Sequence, residues 1–201
     1  MESNKQKVII RIIAGKFKRT TLYEPKNKTI RPLRDMVRES IFNFLIHSNK
    51  ISLQLEQSNV LDLYSGTGSF GLDCLSRQSS KVVFVEKEKK AVKILEKNIE
   101  KLGEKNKTRI FVNNIFSAIE KVSKYKDAWI AGLKYNLIFC DPPFKDTNIN
   151  KLIELIIVKN LIKKNGIIIL HRHKDAKEKL TNSFKIIDER VYGRSKIIFG
   201  Q

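Results

Sequence analysis

The sequence predicts an α/β fold with a mostly parallel sheet, a C-terminal antiparallel hairpin and a small N-terminal extension. From Asn59 onward, short apolar runs rich in Val and Ile alternate with helix-length segments, which is typical of β-α units around a parallel sheet. Near the end of the chain, residues 184–190 and 196–199 flank a turn at 192–195 that is too short for a crossover helix. The length of 201 residues suits one compact domain with an appendage.

Five short apolar runs are the strand candidates of the parallel core. Each is almost continuously apolar, as expected for strands that helices cover on both faces. In the segments between them, apolar residues recur at spacings of three and four, which predicts helices. The predicted strands are residues 60–63, 82–85, 110–112, 137–140 and 167–170, and the predicted helices are residues 68–76, 87–102, 116–125 and 148–160.

The N-terminal part of the chain departs from this alternation. Residues 8–13 and 17–22 flank Gly15 and predict a second hairpin, which a helix over residues 35–47 follows. We interpret this part as an extension of the core domain. The predicted units are residues 1–50 and residues 51–201.

Basic residues exceed acidic ones by a wide margin, with 40 Lys and Arg against 21 Asp and Glu and a net charge of +19. Such a field attracts polyanions. The excess is strongest in residues 4–34, where the only acidic residue is Glu24. A solvated face is the alternative, but the cluster lies in an extension that the core does not need, which favours contact with a phosphate backbone. The predicted contacts are Lys16, Lys18, Arg19, Arg31 and Arg34.

Membrane and secretory classes are not expected. The longest apolar runs, such as residues 153–158, which end at Lys159 and Asn160, fall short of the ~18 residues of a membrane span. Residues 1–7 are polar and charged, unlike a secretory signal or a lipidation site. We therefore expect a cytoplasmic protein.

No metal site or disulfide is expected either. Cys74 and Cys140 lie in apolar surroundings without metal-ligand spacing, which predicts two small buried hydrophobic side chains. His171 and His173 share a strand face by their spacing of two, but no third ligand is evident.

A glycine-rich segment follows the first core strand and opens a helix. It reads Asp62-Leu-Tyr-Ser-Gly66-Thr-Gly68-Ser-Phe-Gly71, and such glycines let a ligand approach the backbone closely. Glu86 ends the next strand 20 residues after Gly66, where a carboxylate can accept hydrogen bonds from both hydroxyls of a ribose. The spacing predicts a nucleoside-containing cofactor, either nicotinamide or S-adenosylmethionine, over a plain turn with a solvated charge.

The segment Asp141-Pro142-Pro143-Phe144 follows the fourth core strand, beside the point where an open sheet reverses direction and ligands bind. The two prolines hold the backbone rigid and leave Asp141 and the Pro142 carbonyl without competing local N–H donors. Both acceptors can then face an amino group, while the Phe144 ring offers a surface on which a base can stack. We expect a pocket for an amino group on a planar ring; the alternative is a rigid loop with a core Phe.

Together these segments resemble the class I S-adenosylmethionine-dependent methyltransferases that modify exocyclic amines. Within that class they are most similar to the bacterial 16S rRNA (guanine-N2)-methyltransferase family, the RsmD family. The resemblance implies a Rossmann-like sheet and methyl transfer to a guanine N2 amine of small-subunit ribosomal RNA by a monomer. It covers nearly the whole chain, on residues 11–15, residues 31–43, the glycine loop, Asp141 to Phe144 and the closing hairpin.

The resemblance also implies roles for single residues. Asp62 and the backbone around Gly66 and Gly68 would hold the methionine end of the cofactor, and Glu86 would hold the ribose. Asn114 would bind the adenine amine, with Asn113 as a neighbouring candidate. The implied catalytic residues are Asp141, Pro142 and Phe144.

The predicted first helix allows two interpretations. The resemblance places Arg38, Glu39 and Asn43 over the cofactor or substrate mouth, whereas the apolar pattern equally allows an amphipathic helix with Phe42 and Leu45 in the core. The family usually has small hydroxyl residues where this chain has Leu33 and Arg34, which affects the cap of this helix.

Three rival functions follow from the same motifs. The Asp-Pro-Pro-Phe segment also suits an adenine-N6 methyltransferase acting on DNA or RNA, although no DNA-recognition domain is evident. A non-catalytic RNA-binding protein would keep the basic extension but need neither Glu86 nor Asp141. A nicotinamide-dependent dehydrogenase would leave Asp141 to Phe144 unexplained.

Overall fold

A computed structural model describes residues 9–25, 33–122 and 132–201, except for the side chain of Val122. Within these residues, seven strands form one sheet and five α-helices pack against it. The elements, in chain order, are α1 (Asp35–His47), β1 (Asn59–Leu63), α2 (Ser69–Ser76), β2 (Lys81–Glu86), α3 (Lys89–Leu102), a 3-10 turn (Lys105–Lys107), β3 (Thr108–Val112), α4 (Ile115–Val122), β4 (Tyr135–Cys140), α5 (Ile149–Val158), β5 (Ile162–His173), β6 (Ile186–Tyr192) and β7 (Ser195–Gly200).

The strands are ordered β3-β2-β1-β4-β5-β7-β6. The first five are parallel, whereas β7 lies antiparallel between β5 and β6. This arrangement confirms the predicted fold class and the C-terminal hairpin. Because the chain leaves β1 toward β2 on one side and returns to β4 on the other, a crevice opens at the carboxyl ends of these strands, which is where doubly wound sheets bind ligands.

Both faces of the sheet are buried, which explains the continuous apolar runs. In β4, Leu137 and Phe139 join the core layer that contains α1, α2 and α3. The alternate residues Ile138 and Cys140 join the layer that contains α4 and α5. Cys74, like Cys140, is buried as predicted.

The bounds of the described core elements lie within two residues of their predictions, except those of β5. Strand β5 begins at Ile162 rather than at residue 167, because Ile162 pairs with Tyr135 before an irregularity in the ladder. Residues 163–165 are polar and exposed to solvent, so no apolar run marks the beginning of β5 in the sequence. The helix predicted over residues 116–125 is α4, and its predicted last three residues lie outside the described part of the chain.

The N-terminal hairpin forms, but with little regular strand. Hydrogen bonds between Ile12 and Thr20 and from Leu22 N–H to the Ile10 carbonyl join its two sides. The predicted second strand starts as a turn, because the Lys16 N–H donates to the Ser76 carbonyl, 2.7 Å away, rather than across the hairpin. Gly15 has a φ of +86°, and a Cβ there would lie 2.0 Å from the Ser76 carbonyl oxygen.

The described part of the extension shares the core of the sheet. Ile10, Ile12 and Leu22 are buried in the same layer as α2 and α3. An aromatic stack runs from the extension to the sheet: the Phe42 and Phe70 ring centroids are 5.2 Å apart, and those of Phe70 and Phe139 are 4.0 Å apart.

Arg38 of α1 ties the extension to α2. Its side chain is fully buried, and its guanidinium donates to the Asp73 and Asp35 carboxylates at 2.7 Å and to the Arg11 carbonyl at 2.9 Å. Removing one partner of such a buried pair is costly because a charge is left without compensation. The core interpretation of α1 is therefore the correct one for Arg38, Phe42 and Leu45, all of which are buried.

Candidate active site

A cavity of about 450 Å³ opens at the carboxyl ends of β1, β2 and β4. It lies at the predicted crevice. Its lining residues come from several loops that are far apart in the sequence. The predicted site residues that line it are Asp62, Gly66, Glu86, Asn114, Asp141, Pro142 and Phe144.

The loop between β1 and α2 turns sharply to begin this cavity. Tyr64, Gly66 and Gly68 all have positive φ angles, of 59°, 56° and 87°. Gly66 lines the cavity, whereas Gly68 does not: a Cβ on Gly68 would lie 2.3 Å from Leu95 Cδ1. Gly68 thus lets α2 and α3 pack closely, and its contact with the cofactor stays a prediction.

Glu86 is held in one orientation by backbone donors. Its Oε2 accepts a hydrogen bond from Gly66 N–H, and its Oε1 accepts from Lys87 and Glu88 N–H, each at 2.8 Å. A carboxylate has about four lone-pair positions, so acceptor capacity remains for a ligand. The loop and the carboxylate therefore fix each other at the cavity wall.

Asp62 lies deeper and is buried. Its Oδ2 accepts a hydrogen bond from Gly71 N–H at 3.0 Å. Burial raises the pKa of Asp62 well above its usual value, and the nearby Asp141 and Glu86 carboxylates raise it further. A cationic group beside Asp62 would relieve this cost and favour the ionised carboxylate.

The cavity as a whole is acidic, in a chain whose net charge is +19. Among the described residues, five carboxylate side chains line it, against the single lysine Lys87. This local reversal of sign favours a cationic ligand and disfavours a pyrophosphate. The five are Asp62, Glu86, Glu88, Asp141 and Asp146.

The two asparagines after β3 occupy different places. Asn114 lines the cavity, and its Oδ1 accepts a hydrogen bond from Phe116 N–H at 3.0 Å at the start of α4. Asn113 is not in the lining, and its N–H donates to the Glu86 carbonyl at 3.1 Å. The geometry thus favours Asn114 as the residue that a ligand would meet.

Asp141 is anchored by a residue that the sequence interpretation did not assign to the site. Its Oδ1 lies 2.7 Å from Nδ1 of His171, and Nε2 of the same ring lies 2.8 Å from Oγ of Ser195. His171 and Ser195 are buried, whereas Asp141 remains partly exposed to the cavity. The contact follows from the β4–β5 register: Cys140 pairs with Leu170, so the next residues, Asp141 and His171, are neighbours.

The rest of the Asp141 loop is held by contacts with both flanking strands. Tyr64 donates its hydroxyl to Asp146 at 3.2 Å, and buried Arg172 donates to the Asp146 carbonyl at 2.7 Å. The Pro143 carbonyl accepts the Asp146 N–H at 2.8 Å. Pro142 lines the cavity beside Asp141, and the role of its carbonyl as an acceptor stays a prediction.

Phe144 completes the wall of the cavity. Its ring meets the His171 and His173 rings edge-on, with centroids 5.3 and 5.1 Å apart. Phe144 lines the cavity together with Asp141, and stacking of a planar group on its ring stays a prediction.

The predicted phosphate contacts that the structure describes are not part of the cavity lining. Lys18 and Arg19 are exposed at the hairpin tip, beside Ser76 at the end of α2. Lys16 is paired with Glu104 at 3.3 Å. Arg34 is exposed at the start of α1 without a side-chain cap, and Arg31 lies outside the described residues.

The first helix contributes less to the mouth than the resemblance implied. Arg38 is occupied by its buried ion pairs, and Glu39 and Asn43 are exposed and absent from the lining. Leu33, just before α1, does line the cavity and is buried.

The described residues contain neither a group of metal ligands nor a membrane-spanning helix. In the ranges 9–25, 33–122 and 132–201, no three His, Cys, Asp or Glu side chains are grouped to hold a metal ion. Over the same ranges, no helix has the length and apolar character to cross a bilayer.

Comparisons with known proteins agree with this geometry. A family model described as conserved hypothetical protein 95 (Cons_hypoth95) matches residues 10–201. Ribosomal RNA small subunit methyltransferase D of Buchnera aphidicola subsp. Baizongia pistaciae is 32% identical over 172 residues, which cover 86% of this chain and 80% of that protein. The protein of the same name from Haemophilus influenzae is 28% identical over 184 residues, covering 92% and 89%. The solved structure of Escherichia coli yhhF has a similar fold, with a TM-score of 0.79, 24% identity and coverage of 96% and 98%.

Proposed function

Because this chain belongs to the RsmD family of methyltransferases, we propose that it transfers the methyl group of S-adenosylmethionine to the N2 amine of a guanine in small-subunit ribosomal RNA. The observation that carries the proposal is the acidic cavity in which Asp62 and Glu86 face Asp141 across the carboxyl edge of the sheet. The choice of RNA rests on the names of the relatives.

The charges of the cavity suit S-adenosylmethionine better than a nicotinamide dinucleotide. When bound, S-adenosylmethionine supplies an electrophilic methyl group on a positively charged sulfur. Asp62 would compensate its cationic groups, and the fixed Glu86 carboxylate would accept hydrogen bonds from the ribose hydroxyls. Asn114 lies where it would meet the adenine. An anionic pyrophosphate would instead meet five carboxylates.

The residues after β4 would prepare the amine that is methylated. The lone pair of a guanine amine is delocalised into the ring, so the amine is a poor nucleophile until its geometry changes. If Asp141 and the Pro142 carbonyl each accept one N–H, the nitrogen is drawn toward tetrahedral geometry with its lone pair free. Phe144 would hold the base by stacking. Asp141 could accept a proton from the cationic amine after transfer, although a carboxylate is too weak a base to remove it beforehand.

Identifying the methylated nucleoside tests this proposal directly. Ribosomal subunits from cells that lack the protein would be incubated with it and labelled S-adenosylmethionine, and the RNA would then be digested to nucleosides. We expect label in N2-methylguanosine from the small subunit. Label in N6-methyladenosine would support the adenine alternative, and no label in any nucleic acid would leave only a binding role. Deproteinised RNA in parallel tests whether the assembled subunit is the substrate.

The basic extension would enlarge the RNA contact beyond the cavity. Ser69 at the start of α2 lines the cavity, whereas the hairpin tip contacts Ser76 at its end, about 10 Å away at the usual helical rise. Lys18 and Arg19 would therefore bind phosphates of nucleotides distant from the target guanine. We accordingly propose a monomeric cytoplasmic enzyme in which residues 1–50 serve RNA binding and residues 51–201 serve catalysis.

Replacing Lys18 and Arg19 together by alanine is expected to weaken RNA binding. The slope of log K against log salt should become shallower by about one to two units, if each side chain neutralises roughly one phosphate. Because the tip is remote from the cavity, the rate at saturating RNA should stay unchanged. The double variant Lys163→Ala/Lys164→Ala, which removes the same charge from exposed positions at the start of β5, is the control. Equal slopes for the two double variants would show that the tip makes no local contact.

A further inference from the structure

We propose that His171 is a positioning residue for Asp141, a role that rests on the proposed methyl transfer. The hydrogen-bonded chain Asp141–His171–Ser195 links the loop after β4 to strands β5 and β7. Its distances of 2.7 and 2.8 Å are those of well-formed hydrogen bonds. It ends at the one carboxylate that the proposed mechanism places against the substrate amine.

The proton positions in this chain follow from the chemistry of its members. An ionised carboxylate only accepts hydrogen bonds, so Nδ1 of His171 carries the hydrogen that is donated to Asp141 Oδ1. In the neutral ring, Nε2 then accepts the hydroxyl hydrogen of Ser195. Ser195 thereby fixes the orientation of the ring, and the ring fixes the carboxylate.

This arrangement would leave the second carboxylate oxygen of Asp141 for the substrate. The Asp141 side chain is 24% exposed whereas that of His171 is 5% exposed, so the carboxylate alone reaches the cavity with substantial surface. Without the bond to Nδ1, the carboxylate could rotate away from the geometry that aligns the amine. Small losses of alignment at a reacting group reduce the rate more than they reduce binding.

His173 provides a matched control on the same strand. Both His rings meet Phe144 edge-on at nearly equal distances, 5.3 Å for His171 and 5.1 Å for His173. His173 is paired with Asp175 rather than with Asp141. Substitutions at the two positions therefore disturb the Phe144 wall alike but disturb the catalytic carboxylate differently.

The test compares His171→Leu, His171→Asn and His173→Leu in single-turnover assays at saturating RNA and S-adenosylmethionine. In Asn, the amide nitrogen is separated from Cβ by the same number of bonds as Nδ1, so an N–H donor to Asp141 is retained. We expect His171→Leu to lower the rate at least tenfold, and His171→Asn and His173→Leu to stay within about threefold of the unsubstituted protein. Affinity for S-adenosylmethionine, measured by calorimetry, should change less than twofold in all three.

A second comparison covers the case in which His171→Leu does not fold. His171→Gln is the substitute, because its amide nitrogen is one bond farther from Cβ than Nδ1 and cannot replace the donor to Asp141. It should lower the rate when Asp141 is present but have no further effect in an Asp141→Ala background, because the group that His171 positions is gone. Equal losses in His171→Leu and His173→Leu, an Asn variant as slow as the Leu variant, or additive losses with Asp141→Ala would each overturn the assignment. Absence of methyl transfer by the unsubstituted protein would instead refute the proposed function.

Discussion

Asp141→Ala is expected to lower the single-turnover rate of methyl transfer by a factor on the order of 10²–10³, the usual scale for losing a positioned catalytic group. The reason is that the variant removes the acceptor that reshapes the amine and takes up its proton. Affinity for S-adenosylmethionine should remain nearly unchanged, since Tyr64 and Arg172 still hold the loop after β4 through Asp146. Quenched-flow assays with labelled S-adenosylmethionine and calorimetry separate the two quantities.

Phe144→Leu serves as the contrasting variant. Loss of the ring should mainly weaken productive binding of the base, because stacking contributes about 1–3 kcal/mol per base. The rate at saturating RNA should therefore recover in Phe144→Leu but not in Asp141→Ala. An Asp141→Ala enzyme with the original rate would refute the proposed mechanism.

Glu86→Ala is expected to weaken S-adenosylmethionine binding by at least about tenfold, which corresponds to ~1.4 kcal/mol. Two charge-assisted hydrogen bonds to the ribose are worth more than this before desolvation is counted. The substitution also releases the N–H groups of Gly66, Lys87 and Glu88, which loosens the loop after β1. Calorimetric titration with S-adenosylmethionine measures the loss, and RNA affinity should survive.

Glu88→Ala is the control for simple charge. Glu88 is exposed and lines the same cavity, so both variants remove one negative charge from the ligand's surroundings. If Glu86 acts through directed hydrogen bonds, its loss should cost several times more affinity than the loss of Glu88. Equal effects would contradict the assignment of Glu86 to the ribose. Binding of NAD in preference to S-adenosylmethionine by the unsubstituted protein would contradict the choice of cofactor.

Local sequence patterns predicted the central sheet because the burial of its strands determines which residues they contain. Strands buried on both faces need continuous apolar runs, and these located β1, β2 and β4 closely. Residues at the carboxyl ends of neighbouring parallel strands must meet at one edge. For that reason the sequence alone predicted that Asp62, Glu86 and Asp141 lie together, and all three line one cavity.

Contacts that depend on tertiary pairing were not accessible in this way. His171 reaches Asp141 only because of the β4–β5 register, which no local pattern encodes. The resemblance placed Arg38 over the mouth of the site, yet the Asp73 carboxylate compensates its charge inside the core. Gly68 matched a ligand-binding pattern, although its missing side chain serves packing against Leu95.

The aromatic stack that begins at Phe42 bears on how far the protein could be shortened. Phe70 and Phe139 line the cavity, so the stack brings α1 into contact with the floor on which a ligand would rest. A chain starting at residue 51 would lose Phe42 and Arg38 and leave the Asp73 carboxylate buried without its main counter-charge. Helix α1 is thus a structural requirement of the catalytic unit. Joining residues 51–201 to another RNA-binding module would also require a replacement for the packing and the counter-charge that α1 supplies.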